Sequence, residues 1–449
     1  MKVLMFGWEF PPHIAGGLGT ACYGLTKGLA KNNVEVLFVM PKASSDEDET
    51  YVKIINASDV EVNTRYVHLD TFSDHVQFLE VESKLVPYIG MDEYYQIVDQ
   101  LNSGIFEEEQ LGEKRKYQFS GRYTENLMNE VEHYAMVAAE IARNYDFDII
   151  HAHDWLTYKA GIAAKRVSGK PLVVHIHATE FDRSGEHNRN DIVYGLEKYG
   201  MQEADAVCAV SDLTRNIVIQ KYGIPENNVF TLHNAVEPTG KEVHREKYVD
   251  EKIVTFLGRV TFQKGPEYFV EAAKKVLEKV PNVRFVLAGD GDMMAQTISR
   301  VAELGIADRF HFTGFLRGSD IDLMFGMSDV YVMPSISEPF GISPLEAMQA
   351  HVPTIISKQS GVAEVLTHAI KVDFWDIDGL ADAIYGIINY PALANFFAAK
   401  GKEDVDNLKW EHVAKKLKGI YENTIKTLNL FTNNFSCTIT VQTEPEMKP

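Results

Sequence analysis

Cysteine is scarce in this chain. Only three cysteines occur in 449 residues, at Cys22, Cys208 and Cys437, and their spacing matches neither a metal site nor a redox motif. Three scattered thiols exclude a disulfide framework and are typical of proteins from a reducing compartment. We therefore predict a cytoplasmic protein whose thiols are mostly buried.

Positive charge is also in short supply. Lysine and arginine number 44 against 64 acidic residues, which gives a formal net charge of −20 and a pI of about 5.2. An acidic surface repels phosphate backbones and anionic lipid headgroups. We therefore predict no nucleic-acid partner and no electrostatic docking to a membrane, whereas a neutral acceptor such as a glucan carries no such penalty.

Long apolar runs are absent. No stretch approaches the length of a transmembrane helix, so no integral membrane contact is predicted. The first residues hold one lysine and a short apolar run that ends at Gly7. That run is too short for a signal peptide and predicts a buried first strand instead.

The sequence does contain a regular alternation of short apolar runs and amphipathic stretches. The runs in the first half are Val3–Phe6, Val34–Met40, Phe147–His151, Leu172–His177, Ala206–Val210 and Val229–Leu232. Those in the second half are Val254–Leu257, Arg284–Ala288, Phe310–Phe312, Val330–Met333 and Thr354–Ile356. Fully apolar strands separated by helices indicate parallel sheets covered on both faces. We predict two doubly wound, Rossmann-like α/β domains facing each other across a cleft.

The alternation breaks at Pro238–Asp250, a polar and charged stretch that we interpret as a linker between domains. The predicted domains are therefore residues 1–240 and 251–409. The segment Trp410–Leu428 has the pattern of an amphipathic helix, and residues 429–449 are predicted to form a flexible tail. Residues 44–119 are irregular and support no structural or functional prediction.

A glycine-rich turn provides the first candidate site. Because ligands of doubly wound sheets bind beyond the carboxyl ends of the strands, chemistry is expected just after strands. Gly16, Gly17 and Gly19 follow the first strand and precede a predicted helix, where backbone N–H groups and the helix dipole favour phosphate. A dinucleotide fingerprint is rejected because Cys22 occupies its third glycine position and no carboxylate ends the second strand. A tight turn that packs the helix on the sheet is an equally weighted alternative.

Two pairs of histidines end neighbouring predicted strands. His151 and His153 precede Asp154, and His175 is followed two residues later by His177. We assign site roles to Asp154 and His177, which are last in their groups, and interpret His151 and His175 as hydrogen-bonded core residues. A metal site is the rival interpretation; it is less favoured because neither pair has a nearby cysteine or an i,i+4 partner. We predict no bound metal.

Two cations follow the first strand of the second half. Arg259 and Lys264 lie within Gly258–Gly265, a turn that leads into a helix. A planar guanidinium and a lysine ammonium can together bind a diphosphate and stabilise the charge that grows on it as a leaving group. The alternative is two solvated surface charges.

The string Glu338-Pro-Phe-Gly341-Ile-Ser-Pro-Leu-Glu346 carries the sharpest signal. Glu338 lies in a proline- and glycine-containing loop after a strand, and Glu346 lies in the next predicted helix. Loop N–H groups and a carboxylate suit a ligand with several hydroxyls, since a carboxylate accepts paired hydrogen bonds. For Glu346 alone, a first-turn carboxylate stabilised by the helix dipole is the alternative.

This string resembles the E-x7-E motif of retaining GT-B glycosyltransferases. The opening Phe10–Gly17 looks like the donor-phosphate loop of glycosyltransferase family 4 and of glycogen (starch) synthases, and Gly258–Gly265 looks like their diphosphate-binding pair. His151–Trp155 is similar to the His-Asp-Trp segment of glycogen synthases, and His233–Val236 resembles the segment that closes the first domain. The resemblance spans about residues 1–425 and implies that the last helix returns to the first domain.

The resemblance implies a role for each matching residue. On the donor side, Gly16 and Gly17 would contact phosphate, Arg259 and Lys264 would neutralise the diphosphate, and Glu346 would bind the ribose. The sugar would be held by Glu338 with backbone groups of Phe340, Gly341 and Ile342. At the reacting sugar, His177 would lie against it and Asp154 near donor or acceptor hydroxyls. Apart from the resemblance, Glu180, Asp182 and Arg183 in the loop Thr179–Asn190 are expected to face the acceptor.

Two departures from glycogen synthases favour family 4. Synthases that use ADP-glucose carry a lysine before the paired glycines, where this chain has Ile14-Ala15, and their second motif position is often not glutamate. The implied activity is metal-independent, retaining transfer of a hexosyl, most simply glucosyl, group. The donor would be a UDP- or ADP-sugar, no cofactor is implied, and the acceptor would be a glycan, such as an α-glucan, or a small carbohydrate.

Three alternatives stay open at this point. The chain could be another family 4 enzyme with a different sugar or a small-molecule acceptor, a sugar-nucleotide epimerase of the same fold, or a non-catalytic nucleotide-sugar sensor. The donor base, the acceptor and the oligomeric state are not fixed by the sequence.

Overall fold

The computed structural model describes residues 1–13, 17–63, 114–121, 126–185, 188–237 and 250–435. Gly16, the linker at 238–249, residues 64–113 of the irregular segment, Cys437 and the end of the predicted tail lie outside the described residues.

The first sheet is parallel and seven-stranded, in the order β3-β2-β1-β6-β7-β8-β9. Its strands are β1 (Lys2–Phe6), β2 (Glu35–Met40), β3 (Lys53–Asn56), β6 (Ile149–His153), β7 (Leu172–Ile176), β8 (Ala206–Ala209) and β9 (Val229–Thr231). The central strands are buried on both faces, as their continuous apolar sequences require. A short antiparallel pair, β4 (Glu61–Asn63) and β5 (Lys114–Lys116), lies outside this sheet.

The second sheet is also parallel, with six strands in the order β12-β11-β10-β13-β14-β15. Its strands are β10 (Lys252–Leu257), β11 (Val283–Ala288), β12 (Phe310–Gly314), β13 (Val330–Met333), β14 (Thr354–Ser357) and β15 (Ile370–Val372). Strand order reverses beside β10, so the loops after β10 and β13 leave the sheet at its switch point.

Helices cover both sheets. Those of the first half are α1 (Gly17–Lys31), α2 (Leu127–Asn144), α3 (Trp155–Ser168), α4 (Glu180–Ser184), α5 (Asp191–Glu203) and α6 (Asp212–Tyr222). Those of the second half are α7 (Pro266–Lys279), α8 (Met294–Glu303), α9 (Ser319–Met327), α10 (Ser343–Gln349), α11 (Ile377–Asn389), α12 (Pro391–Asp406) and α13 (Trp410–Phe435). Among the described residues, no helix is long and apolar enough to cross a membrane.

The last helix, α13, packs against α1 of the first half. Trp410 is buried against Gly24 and Gly28, where a Cβ atom would overlap the indole or the helix backbone. Ala414, Leu417 and Tyr421 belong to the same core cluster as β1 and β2. The helix continues to Phe435 rather than ending at Leu428, so the predicted tail begins too early.

The predicted fold class is confirmed, with differences at the sheet edges. Strands β3 and β15 were not predicted, because an edge strand is only partly buried and lacks a continuous apolar run. The first domain's strand after α2 begins at Ile149 rather than Phe147. Cys22 and Cys208 are buried and free, as the composition suggested.

Candidate active site

Asp154 and His177 lie at the carboxyl ends of the adjacent strands β6 and β7. Asp154 precedes α3 with a φ of 58°, a backbone conformation that residues other than glycine adopt at an energetic cost. Its Oδ1 accepts a hydrogen bond from the His177 N–H at 2.6 Å, and its own N–H donates to the His175 carbonyl at 2.9 Å. The Asp154 carboxylate therefore fixes the backbone where His177 leaves the sheet.

The four histidines of the two strands form one stack. Ring centroids are 4.4 Å apart for His151 and His153 and for His175 and His177, with interplanar angles of 17° and 27°. His151 hydrogen-bonds the hydroxyl of Tyr421 from α13, which ties the returning helix to the site. His151, His153 and His175 are buried, whereas His177 is half-buried at the open end of the stack.

Several ring nitrogens of this stack have no partner. Both nitrogens of His175, and Nε2 of His151 and His153, are buried without a hydrogen bond. The prediction that His151 and His175 are fully hydrogen-bonded core residues is therefore wrong for His175 and half right for His151. Strand pairing explains why His175 lacks partners, because its neighbours on the adjacent strands are His153 and Cys208.

The metal interpretation can be judged from the same geometry. His151, His153 and His175 bring ligand atoms within 4.8 Å of one another. Lone pairs lie in the ring plane, and stacked rings at interplanar angles of 17–28° direct them side by side rather than toward one point. The stack thus does not have the form of a tetrahedral site, and the absence of metal stays a prediction.

Burial sets the protonation of the two half-buried members of the site, His177 and Asp154. Burial lowers the pKa of His177 to about 3, so its imidazole is neutral at physiological pH. Burial also raises the pKa of Asp154 to about 7, against the stabilising hydrogen bond from His177. The His153 Nδ1 atom lies 2.9 Å from His177 Nε2, so this pair shares one proton and holds the His177 ring in place.

The second half contributes a loop packed tightly by glycines. The Gly258 N–H donates to the Ala288 carbonyl at 3.0 Å, and Gly289 has no room for a side chain against Gly258. Gly265 has a φ of 62° and begins α7 with no room for a side chain against Pro334. This loop therefore comes directly beside the loop that follows β13.

Arg259 lies on this loop and is exposed at the cleft. Partial enclosure lowers the pKa of its guanidinium, and the nearby carboxylates of Glu338, Asp292 and Glu9 oppose that effect. Glu9 belongs to the first half, where its Oε1 accepts a hydrogen bond from the Gly19 N–H at 3.0 Å. Charges of both halves thus meet at Arg259.

Lys264 and Glu338 form an ion pair between the two loops. Glu338 is only 6% exposed and also accepts a hydrogen bond from the Ser335 hydroxyl at 3.3 Å. The predicted diphosphate residue and the predicted sugar residue therefore meet directly. Such a pair orients both side chains before any ligand arrives, since each holds the other.

The rest of the motif turns toward the first half. Gly341 has a φ of 100°, which only glycine adopts without strain, and Phe340 is buried. A Cβ placed on Gly17 would lie 3.5 Å from Ile342 Cδ1, so the start of α1 faces the end of the motif. Glu346 lies in α10, where burial, then the charge of Asp322, raises its pKa to about 7.

The structure thus brings the two halves together at Arg259, which is near carboxylates of both halves, and at Gly17, which faces Ile342. Asp154 and His177 lie at strand ends of the first half, whereas Arg259, Lys264 and Glu338 lie on loops of the second half. Gly16 lies outside the described residues. Sequence reasoning missed Glu9, although a carboxylate between the first strand and a glycine turn was a visible signal.

The residues that were expected to face the sugar acceptor have buried side chains. Arg183 forms ion pairs with Glu180 at 3.1 Å and with Glu197, and all three are buried. Asp182 is 2% exposed and closes a capping box on Thr179. These groups stabilise α4 and α5 and present no surface to an acceptor. Asp182 has one further contact, because its Oδ1 accepts a hydrogen bond from the Ser337 hydroxyl of the second half at 2.6 Å.

Two parallel α/β sheets, each covered by helices and joined in one chain, are the architecture of the GT-B class of glycosyltransferase. Residues 2–231 match the family described as the starch synthase catalytic domain, and residues 241–404 match glycosyl transferases group 1. Since the first match covers more than half of the chain, the chain belongs to the starch synthase catalytic domain family and is a glycosyltransferase.

Full-length relatives agree with this assignment. The chain is 28% identical over 443 residues to an uncharacterized glycosyltransferase of Methanocaldococcus jannaschii, covering 94% of this chain and 98% of that protein. It is 22% identical to a glycogen synthase of Mycobacterium tuberculosis, covering 94% of each chain. The sucrose-phosphate synthase of Thermosynechococcus elongatus has the same fold, with a TM-score of 0.67 at 18% identity over 95% of this chain and 99% of that one.

Proposed function

We propose that this glycosyltransferase moves a glucosyl group from a nucleotide diphosphate sugar to the end of a glycan, with retention of anomeric configuration and without a metal ion. The observation that carries the proposal is the Lys264–Glu338 ion pair beside Arg259, whose guanidinium is also near the carboxylate of Glu9 from the first half. Retention is inferred from the resemblance of the motif to retaining enzymes. The acceptor class is inferred from the full-length likeness to a glycogen synthase.

The geometry suits departure of a nucleoside diphosphate. As the glycosidic bond to phosphate breaks, negative charge grows on the phosphate oxygens, and the fixed cations Arg259 and Lys264 stabilise it. The start of α1 faces the same space and adds the positive end of a helix dipole. These groups together supply the charge stabilisation that a metal ion supplies in other transferases.

The sugar would lie between Glu338 and His177. Donor binding would add hydroxyl groups as partners for the Glu338 carboxylate, which already holds Lys264 and Ser335. Neutral His177 presents a hydrogen-bonding imidazole and adds no charge beside the reacting carbon, where positive charge develops. Glu346, half-buried on α10, would accept hydrogen bonds from the ribose hydroxyls of the donor.

Donor consumption by the purified protein in EDTA tests the proposal. The panel is UDP-glucose, ADP-glucose, GDP-mannose and UDP-N-acetylglucosamine, each with and without glycogen or maltooligosaccharides. We expect glycogen-dependent release of nucleoside diphosphate from a glucose donor, and proton NMR of the product should show a new α-linkage.

Other outcomes would overturn parts of the proposal. Turnover that requires a divalent metal contradicts the metal-free mechanism, and a β-linked product contradicts retention. Conversion of the donor sugar with no acceptor present would identify an epimerase. Transfer only to small acceptors would assign the chain to family 4 enzymes other than glucan synthases.

A further inference from the structure

The carboxylate of Glu364 crosses from the second half of the chain to the first. It lies in the 3-10 turn Gly361–Glu364 after β14, and its two oxygens reach the start of α6. Oε2 accepts the Asp212 N–H at 2.8 Å, and Oε1 accepts the Leu213 N–H at 2.8 Å. A carboxylate at this end of an 11-residue helix satisfies two otherwise unpaired donors and interacts favourably with the helix dipole.

His233 adds a third contact to the same carboxylate. Its Nε2 lies 2.7 Å from Glu364 Oε2, and it follows β9 at the end of the first sheet. Both side chains are about one quarter exposed, so the contact is partly shielded from water. We call Glu364, His233 and the N–H groups of Asp212 and Leu213 the Glu364 clasp.

The turn that carries Glu364 is hydrogen-bonded to the motif loop. The Gly361 N–H donates to the Glu338 carbonyl at 2.9 Å, and the Val362 N–H donates to the Phe340 carbonyl at 2.8 Å. Gly361 also has no room for a side chain between Pro339 and Ser211. Movement of the turn relative to α6 would therefore displace Glu338 and Phe340 with it.

The same loop has two further contacts with the first half. The Ser337 hydroxyl donates to the Asp182 carboxylate at 2.6 Å, and the Thr214 hydroxyl donates to the Pro339 carbonyl at 3.4 Å. Each is a single hydrogen bond, whereas the Glu364 clasp brings three groups of the first half to one carboxylate.

We propose that Glu364 is a positioning residue for sugar transfer. Its role is to fix the loop Ser337–Ile342, and with it Glu338, relative to the first half, through the contacts of the Glu364 clasp. The inference deepens the proposed function and rests on it for the identity of the reaction. The mechanical link itself rests only on the contacts given above.

Kinetics of Glu364 variants provide the first test. A misplacement of reacting groups by about 1 Å can cost on the order of 100-fold in rate. We expect Glu364→Ala to lower kcat about 10- to 100-fold with a smaller change in donor KM, and Glu364→Gln, which keeps one acceptor oxygen, to lie between. Glu278→Ala, on an exposed helix surface of the same half, is the matched control and should leave kcat unchanged. Wild-type kcat in Glu364→Ala would overturn the proposal.

A double-mutant cycle with His233→Ala tests whether Glu364 and His233 act through one contact. If both residues act through one contact, the double variant should lose little more kcat than Glu364→Ala alone. Fully additive losses would show that His233 and Glu364 act separately and would remove His233 from the clasp.

Hydrogen–deuterium exchange in the ligand-free protein gives a readout that needs no activity. Glu364→Ala should speed exchange in peptides covering residues 337–346 and the start of α6, with no change in β1 or β6. If the wild type transfers no sugar, the proposed function fails while this result still decides the clasp. Unchanged exchange at 337–346, or a uniform rise over the whole chain, would overturn the positioning role.

Discussion

At the scale of single residues, the site depends on side chains whose charge is set by their surroundings. His177 is held neutral by burial, and Glu338 forms an ion pair with Lys264. Asp154 has a strained backbone and a raised pKa, and its Oδ1 atom accepts a hydrogen bond from the His177 N–H. Its part is thus to place His177, and a contact with sugar hydroxyls stays a prediction.

Replacement of Arg259 should remove transfer without unfolding the chain. Loss of one fixed group that stabilises charge in the transition state typically lowers kcat by about 10²- to 10³-fold. Because Arg259 is exposed, Arg259→Ala should leave the melting temperature within a few degrees of wild type. Arg300→Ala, which removes an exposed arginine bound to Glu271, is the control and should retain full activity. Near-normal kcat in Arg259→Ala would contradict the assigned role.

Asp154→Asn should stabilise the protein, increasingly so as the pH rises. The folded-state pKa of Asp154 is about 7, above the unfolded value of about 3.9, so its contribution to stability is present below pH 4 and lost as the pH rises through 7. Asparagine can accept the same N–H, carries no charge and tolerates a positive φ. The gain in free energy of unfolding should grow between pH 4 and 7 and level off at roughly 4 kcal/mol, because about three pKa units separate the folded and unfolded states and each is worth about 1.36 kcal/mol.

Urea denaturation of both proteins at several pH values measures that gain. A difference that does not change with pH would mean that Asp154 titrates in the folded protein as it does in the unfolded chain.

At the scale of elements, the strands β6 and β7 and the helix α13 act together. The histidine stack lies along the two strands, and Tyr421 of α13 bonds its inner end. The same helix packs on α1, whose first residue faces Ile342. The last helix of the chain therefore supports both the histidine side and the phosphate side of the cleft.

Trp410→Ala should show how much of the stability this helix contributes. Trp410 is 4% exposed and fills the space left by Gly24 and Gly28, so its truncation leaves a cavity that α1 and α13 cannot close. The expected cost is about 3 to 5 kcal/mol in free energy of unfolding, measured by urea denaturation. Trp375, which is 58% exposed, gives the matched control: Trp375→Ala should change stability by about 0.5 kcal/mol or less.

At the scale of the whole molecule, the two halves meet beside the motif loop through polar contacts and through an apolar cluster that joins Val236 to Phe340. Gly361 packs between Pro339 of its own half and Ser211 of the other, and Glu364 follows three residues later. The relative placement of Glu338 and His177 therefore depends on this interface.

Gly361→Ala should lower activity by separating the halves. The added methyl group would overlap Pro339 and Ser211, so the turn or α6 must shift. We expect kcat/KM to fall at least about tenfold, the size of change that follows a loss of about 1.4 kcal/mol in transition-state stabilisation. Gly419→Ala, in α13 where nothing lies near the new methyl group, is the control and should stabilise slightly. Full activity in Gly361→Ala would show that the interface tolerates displacement.

Much of the architecture was determined by local sequence. The apolar runs predicted the central strands of both sheets because strands buried on both faces need no polar alternation. The loops after β10 and β13 were identifiable because glycine, cations and glutamate occur there in a fixed order. The edge strands β3 and β15 escaped prediction, since half-exposed strands resemble the surrounding loops.

Only the tertiary structure decided how these pieces act together. Lys264 and Glu338 are 74 residues apart, Tyr421 and His151 are 270 apart, and Glu364 reaches a helix about 150 residues earlier. No local pattern records such pairs, because they arise from the order of strands and the packing of the two halves. The burial of Glu180, Asp182 and Arg183 could likewise not be predicted from the sequence. A short run of charged residues has no hydrophobic pattern that would show whether it faces water or the core. The sequence by itself therefore determined the class of enzyme and its candidate site residues, and the packing determined the partners and alignment of those side chains and the pKa of Asp154 and His177.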